Sequence, residues 1–342
     1  MQTNPIRFPA EWHPQSGVQL TWPHADTDWE PQLTEVIPVF VRIAEEIAQR
    51  EKLLIVCQDA AAVRAQLRPD LPHPVLLREI PSNDTWARDH GGISLLIHDE
   101  PVVCDFVFNG WGLKHPSHKD NRITERLFLS GAFAPGVRRL CRYPFVLEGG
   151  SLDSNGQGLV LTTSRCLDAP NRNEPLTPRE TDRFLTECFG LRQILRLESG
   201  ALEGDDTDGH IDTLARFCNE DTIAYVQCTD RRDTHYPELR RMYDNLASLR
   251  QPNGEPFRLV PLPMADPVWE GDRRLAATYA NFLVINHAVL MPCYASPKDR
   301  RAADILAGLF PQRQIVGIPC LPLLRQNGSL HCLAMHYPLH FL

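Results

Sequence analysis

A strand–helix–strand unit recurs along this chain, and that repetition constrains the fold more than any other feature. Phe189-Gly-Leu-Arg-Gln-Ile194 parallels Phe310-Pro-Gln-Arg-Gln-Ile315, each where a helical pattern runs out and a strand begins. Further along from each, Gly209-His-Ile-Asp-Thr-Leu-Ala215 parallels Gly328-Ser-Leu-His-Cys-Leu-Ala334, with weaker echoes at Gly150-Ser-Leu-Asp153 and Gly91-Gly-Ile-Ser94. A repeat of this size predicts modules set around a common axis rather than a doubly wound sheet. Neither a GxGxxG nor a GxxxxGK[ST] fingerprint is present, so nucleotide binding has no local support.

The elements between the repeats follow from apolar spacing. Leu53–Cys57, Ile93–Ile97, Val102–Phe108, Leu159–Thr163, Thr222–Val226, Phe282–Asn286 and Gln314–Ile318 read as strands. Helices are predicted over 32–50, 120–131, 178–189, 236–250 and 298–310. Thr177-Pro178 with Glu180, and Ser296-Pro297 with Asp299, each present a hydroxyl at the N-cap, proline at N1 and an acid at N3. With 43% hydrophobic residues and prolines spread rather than gathered at a linker, 1–342 reads as a single pseudo-symmetric α/β domain.

Charge and cysteine usage narrow the function classes. Acidic residues outnumber basic ones 43 to 35, for a net charge of −8. That balance argues against phosphate-backbone binding, hence no nucleic-acid partner, and suits a cationic small molecule. No apolar run suits a membrane span or a signal core, and the ten cysteines include no CxxC pair. A cytoplasmic protein with reduced thiols is the expectation. A homo-oligomer is compatible with this composition, which fixes no oligomeric state.

The densest chemistry lies in Glu203-Gly-Asp-Asp-Thr-Asp-Gly-His-Ile-Asp212, five carboxylates and a histidine around Gly209. Such crowding calls for a metal ion or a cationic ligand, unless it is a solvated acidic turn before a strand. A calcium loop fails: with Gly209 in the sixth position, Gly204 and Ala215 occupy the first and twelfth, where ligands belong. If the repeat is real, its Gly-to-strand junctions converge near the axis. They would bring together Asp89, Glu148 with Ser151 and Asp153, His210 with Asp212, and His331 with Cys332. A thiol, histidines and carboxylates at one centre suit a cysteine nucleophile with a histidine proton carrier. Paired carboxylates suit a planar guanidinium. His115, His118, His331, Cys332, His336 and His340 could serve zinc, but their spacing matches no common frame, and no metal is expected.

These residues carry a resemblance. The chain resembles the agmatine deiminases, within the family of bacterial-type peptidylarginine deiminases and agmatine iminohydrolases. The matching stretches run in order over essentially the whole chain. They are Pro9-Ala-Glu-Trp12 with Thr21-Trp-Pro-His24, Asn83-Asp-Thr-Trp-Ala-Arg-Asp89, Phe108-Asn-Gly-Trp-Gly112, Leu147-Glu-Gly-Gly-Ser151, Asn171-Arg-Asn173, Asp206-Thr-Asp-Gly-His-Ile-Asp212 and Gly328-Ser-Leu-His-Cys332. The resemblance implies a five-bladed pseudo-symmetric α/β propeller, the guanidine-modifying or pentein-type fold. It also implies a cofactor-free hydrolysis of agmatine to N-carbamoylputrescine and ammonia, a step of putrescine and polyamine synthesis, through a covalent thiouronium.

Carried over by position, Cys332 would be the nucleophile and His210 the proton carrier. Asp89 and Asp212 would grip the guanidinium, and Glu148 would orient His210. Asp206 is the candidate for the distal ammonium, with Trp86 and Trp111 packing along the tether. Two departures touch loop shape: a single glycine, Gly328, stands close before the nucleophile, and Gly92 replaces a usual proline. Deimination of peptidyl-arginine is the alternative of the same class. A non-catalytic guanidine- or polyamine-binding protein is the alternative of a different class, although a pure binder needs no thiol.

Overall fold

A computed structural model describes residues 5–342. Among them, five sheets of three or four strands follow one another along the chain. Each is built the same way: a short strand pairs antiparallel with a middle strand, which pairs in parallel with the next through a helical crossover. The middle and parallel strands are Gln15–Thr21 with Lys52–Cys57, Glu100–Val107 with Arg138–Val146, Leu159–Thr163 with Gln193–Leu197, Thr222–Gln227 with Arg258–Pro263, and Ala288–Cys293 with Gln314–Pro319. The antiparallel strands are Ile93–Ile97, Asp153–Ser154, Ala215–Phe217 and Leu283–Ile285, and the set is completed by the C-terminal Ala334–Pro338 against Gln15–Thr21. The chain's last strand therefore closes the sheet that its first long strand opened. This is the five-bladed α/β arrangement expected above, and the repeats flagged in sequence are its blades.

The crossover helices are Leu33–Ala48, Ile123–Leu129, Pro178–Phe189, Tyr236–Ser248 and Lys298–Leu309. Leu33–Ala48 buries Val36, Val39, Phe40, Ile43, Ala44 and Ile47, a stripe at helical spacing that packs on its sheet. Leu53–Cys57 is buried throughout, as a parallel strand covered on both faces must be. The capping box at Thr177 forms as expected, with Glu180 reaching back to the Thr177 N–H. Its counterpart forms too: Ser296 Oγ accepts the Lys298 N–H at 3.1 Å, and Asp299 Oδ2 reaches back to the Ser296 N–H at 3.3 Å. The other Asp299 oxygen, Oδ1, accepts from the Tyr279 hydroxyl at 2.6 Å and the Tyr294 N–H at 3.1 Å. None of the described helices is long and apolar enough to cross a membrane.

What positions the site is the junction ahead of each antiparallel strand. Single helical turns form at Ala87–His90, Gly149–Ser151, Ile211–Thr213 and His331–Leu333. The first touches the second and fourth, and the second touches the third. Gly92, where a proline was expected by resemblance, is required by space: a Cβ there would lie 2.3 Å from Val103 Cγ1.

Candidate active site

The converging turns bring Asp89, Glu148, His210, Asp212 and Cys332 together, all buried. Close approach depends on Gly150, because a Cβ there would meet His210 Nδ1 at 2.6 Å and Asp89 Oδ1 at 2.7 Å. Cys332 Sγ lies 3.9 Å from Asp212 Oδ2, and Asn281 Nδ2 donates to it at 3.4 Å. Asn281 belongs to the junction of the fifth blade, the one junction whose contribution was not read from sequence. Burial, then Asp212 and Asp89, push the Cys332 thiol well above its ordinary range.

Asp89 is fixed at both oxygens: Gly150 N–H donates to Oδ1 at 3.1 Å and Trp111 Nε1–H to Oδ2 at 3.0 Å. Burial pushes its carboxyl up to about 6, with His210 opposing and Asp212 adding to the rise. His210 Nδ1 lies 3.5 Å from Asp89 Oδ1, and its ring also meets Cys166 and Glu148. Burial alone would strip the ring of its proton, but Asp89, Cys166 and Glu148 override that and hold His210 well above its usual range. The surroundings of His210 thus favour its imidazolium form. Burial likewise works against the Asp212 charge, yet the bond to His331 at 2.7 Å and its charge hold Asp212 below the usual carboxylate range.

The acid-rich segment is mostly neutralised within the fold. Asp205 accepts from the Thr207 and Gly209 N–H groups, shaping the turn that delivers His210. Asp208 pairs with Lys114 at 2.8 Å and Arg172 at 2.7 Å. Arg172 in turn holds Glu148 through Nε at 3.0 and 3.1 Å. Glu148, Cys166 and His210 are the described residues closest to a metal-ligand set, their ligand atoms within 4.8 Å of one another. Arg172 already occupies both Glu148 oxygens, so a dication would have to displace it. His331 and His336, candidates for zinc by residue type, are engaged with Glu11, Asp212 and Arg88 instead.

Asp206 is left half-exposed in a cleft that reaches Cys332. It accepts from Asn327 at 2.9 Å and faces His115 at 3.3 Å, a bond that raises the His115 ring above its usual value. Trp86 and Trp111 form the cleft walls with Gly328. Trp86 Nε1 donates to Asp84 at 2.9 Å, and Asp84 is pushed up to about 6 by burial. Trp111 and Asn327 adopt left-handed backbone, φ 55° and 65°, strain of the kind that gathers where side chains must be aimed. Four aspartates line this cleft, at 28, 84, 89 and 206, and no lysine or arginine does among the described residues.

Of the eight residues inferred from sequence, Asp89, Cys332, Trp86, Trp111 and Asp206 line this cleft, while Asp212 adjoins Cys332, His210 adjoins Asp89 and Glu148 adjoins His210. Sequence reasoning gave no role to Glu11, Cys166, Arg172 or Asn281. Glu11 and Arg172 lay inside quoted motifs, Pro9–Trp12 and Asn171–Asn173. Membership of those motifs was their available signal; Cys166 and Asn281 offered none.

A five-bladed α/β fold that gathers a buried thiol, a histidine and carboxylates where its blades converge defines the class of architecture. The chain belongs to the Porphyromonas-type peptidyl-arginine deiminase family, whose profile matches residues 7–338. It is 30% identical to an agmatine deiminase of Pseudomonas syringae pv. tomato, covering 98% of this chain and 96% of that protein. Among solved structures it is similar to a Porphyromonas gingivalis protein provisionally described as an arginine deiminase, at 53% identity and TM-score 0.95, covering 98% of this chain and 99% of that one. It is also similar to the agmatine deiminase of C. jejuni, solved as a Cys-to-Ser variant with substrate bound, at 37% identity and TM-score 0.90, covering 97% and 96%.

Proposed function

We propose that this protein, acting through the whole chain as one catalytic unit, hydrolyses agmatine to N-carbamoylputrescine and ammonia. The supporting observation is the cleft itself: four aspartates, no lysine or arginine, and a thiol at its floor. A doubly cationic substrate without a carboxylate suits that lining, whereas free arginine would bring a carboxylate against Asp206.

Asp89 and Asp212 flank the guanidinium and accept its N–H groups. Arrival of that cation offsets the carboxylate repulsion that holds the Cys332 proton, so substrate binding itself favours the thiolate. The thiolate attacks the guanidinium carbon, forming the S–C bond. The His210 imidazolium gives its proton to one amino group, which leaves as ammonia when its C–N bond breaks. The remaining thiouronium keeps one positive charge, and His210 is now neutral. It takes a proton from water, the hydroxide adds to carbon, and collapse expels the Cys332 thiolate. The hydroxyl proton of the ureido product departs with ammonia as ammonium, and His210 is again protonated.

Glu148 and Cys166 hold the His210 ring, and Asn281 steadies the sulfur. Asp206 receives the distal ammonium, and Trp86 and Trp111 pack along the tether. The ten cysteines are all unpaired, which suits a reducing cytoplasm. Ammonia release from agmatine, arginine and an arginyl peptide, each with and without chelator, tests this reading. Agmatine should lead arginine by at least about a hundredfold in kcat/KM, with no effect of chelator. Equal or better turnover of arginine or of the peptide overturns the agmatine assignment.

A further inference from the structure

Behind the Cys332 turn lies a chain of short bonds that the reaction above does not use. His331, adjacent to the nucleophile, holds Asp212 Oδ2 with Nδ1 at 2.7 Å and Glu11 Oε2 with Nε2 at 2.7 Å. Glu11 comes from the opposite end of the chain and is 6% exposed. Its Oε2 also meets Arg88 at 3.2 Å and Arg216 at 3.1 Å, and its Oε1 accepts the Val284 N–H at 2.7 Å. Arg88 leans further on His336 Nδ1 at 3.2 Å. Consecutive residues divide between two cavities: Asp89 and Cys332 face the substrate cleft, while Arg88 and His331 line a second cavity with Glu11 and His336. The relay therefore crosses the turn from one to the other.

We propose that Glu11 and His331 are positioning residues for the reacting centre, their relay through Asp212 fixing the charge and orientation of the carboxylate beside the Cys332 thiol. This rests on the guanidine-hydrolase reading. His331 thus bridges two carboxylates, one at each ring nitrogen. Glu11 stays ionised because Arg216, His331 and Arg88 outweigh its burial. Asp212 is thereby tied to a buried cluster that turns one of its oxygens toward His331.

The protein contains its own calibration. Asp89 is as buried as Asp212 but its histidine, His210, stands farther off at 3.5 Å, and burial pushes its carboxyl up to about 6. Asp212, facing Cys332, Asp89, His210, Arg88 and Arg216 as well as His331, sits below the usual range. Stripped of its bond to His331, Asp212 should come to resemble Asp89.

The variant His331→Asn tests this, because its amide keeps a donor near the Nδ1 position while losing the reach to Glu11. In the unmodified protein, kcat/KM should fall about tenfold per pH unit below pH 6, one ionisation belonging to Asp89. In His331→Asn the acid limb should steepen to about a hundredfold per unit as Asp212 joins it. At neutral pH kcat should drop at least about tenfold. Glu11→Gln, which keeps His331 in place but discharges its far partner, should steepen the limb in the same sense.

Affinity for agmatine, measured by calorimetry in a Cys332→Ser background with and without His331→Asn, should show the same change of slope. Absence of agmatine binding in the Cys332→Ser single variant would count against the guanidine reading instead. Binding with one pH slope in both backgrounds, or an unchanged acid limb with kcat/KM within about threefold, overturns the relay. So does failure of both His331→Asn and Glu11→Gln to fold, since the cluster would then be structural alone.

Discussion

Gly328 stands four residues before Cys332, and its missing side chain is where the Trp86 ring lies. A Cβ at 328 would fall 2.2 and 2.3 Å from two carbons of that ring, whereas carbon–carbon contacts settle near about 3.5 Å. The variant Gly328→Ala therefore demands a retreat of more than about 1 Å. Trp86 cannot supply it freely: it packs on Trp29 at 5.7 Å between centroids and donates to Asp84. The loop cannot either, since Asn327 is tied to Asp206 and to Arg273. The strain should cost about 1–3 kcal/mol of stability, a few degrees in Tm. A cleft wall displaced by about 1 Å should cost about a hundredfold in kcat/KM. Ammonia-release kinetics beside thermal melts measure both. An alanine variant with kcat/KM within about threefold of the parent would refute the argument that Gly328 sets the Trp86 wall.

Other outcomes follow from the same geometry. The variant Asp206→Asn should narrow the preference for agmatine over arginine by at least about tenfold, read from paired kcat/KM values. In Arg172→Gln, Glu148 loses the partner of a pair whose side chains are each 1% exposed, so urea unfolding should reveal a loss of about 3–5 kcal/mol, partly restored by adding Glu148→Gln. Burial raises Asp120 to about 8, Glu51 to about 7 and Asp84 to about 6. These groups keep protons in the folded state that the unfolded chain has already lost, so stability should fall as pH rises from about 5 to 8, and the elevated His210 acts in the same sense. Asp120→Asn, which preserves the acceptor for the Asn83 N–H at 2.6 Å, should flatten that slope in melts across pH. A slope unchanged by it would remove Asp120 as a cause.

The blades were legible because their periodicity is local. Pro178–Phe189 formed with the bounds its cap and apolar spacing predicted, and the echo between Gly209 and Gly328 marked two equivalent turns. The Ser296 cap was legible for the same reason, closed by Ser296 and Asp299 within four residues; the bond from the Tyr279 hydroxyl to the other Asp299 oxygen, distant in sequence, was not. In the site, groups that touch substrate by our reading were visible as crowded chemistry near glycines. The groups that govern them were not. Glu11 meets His331 across 320 residues, and Asn281 meets Cys332 across 51, so nothing in the local pattern of either end reveals the other. The acid-rich segment read as a cation trap, yet Asp205 and Asp208 serve the turn and Arg172, leaving Asp206 for the cleft.

The central claim is a covalent bond between Cys332 and the guanidinium carbon. Acid-quenching the enzyme during turnover of agmatine, then digesting it and weighing the peptides, tests that bond directly. The account predicts a peptide containing Cys332 heavier by the mass of agmatine less one ammonia, and its absence in Cys332→Ser. An adduct on another residue, such as Cys166, or steady turnover by Cys332→Ser within about tenfold of the parent, would contradict it.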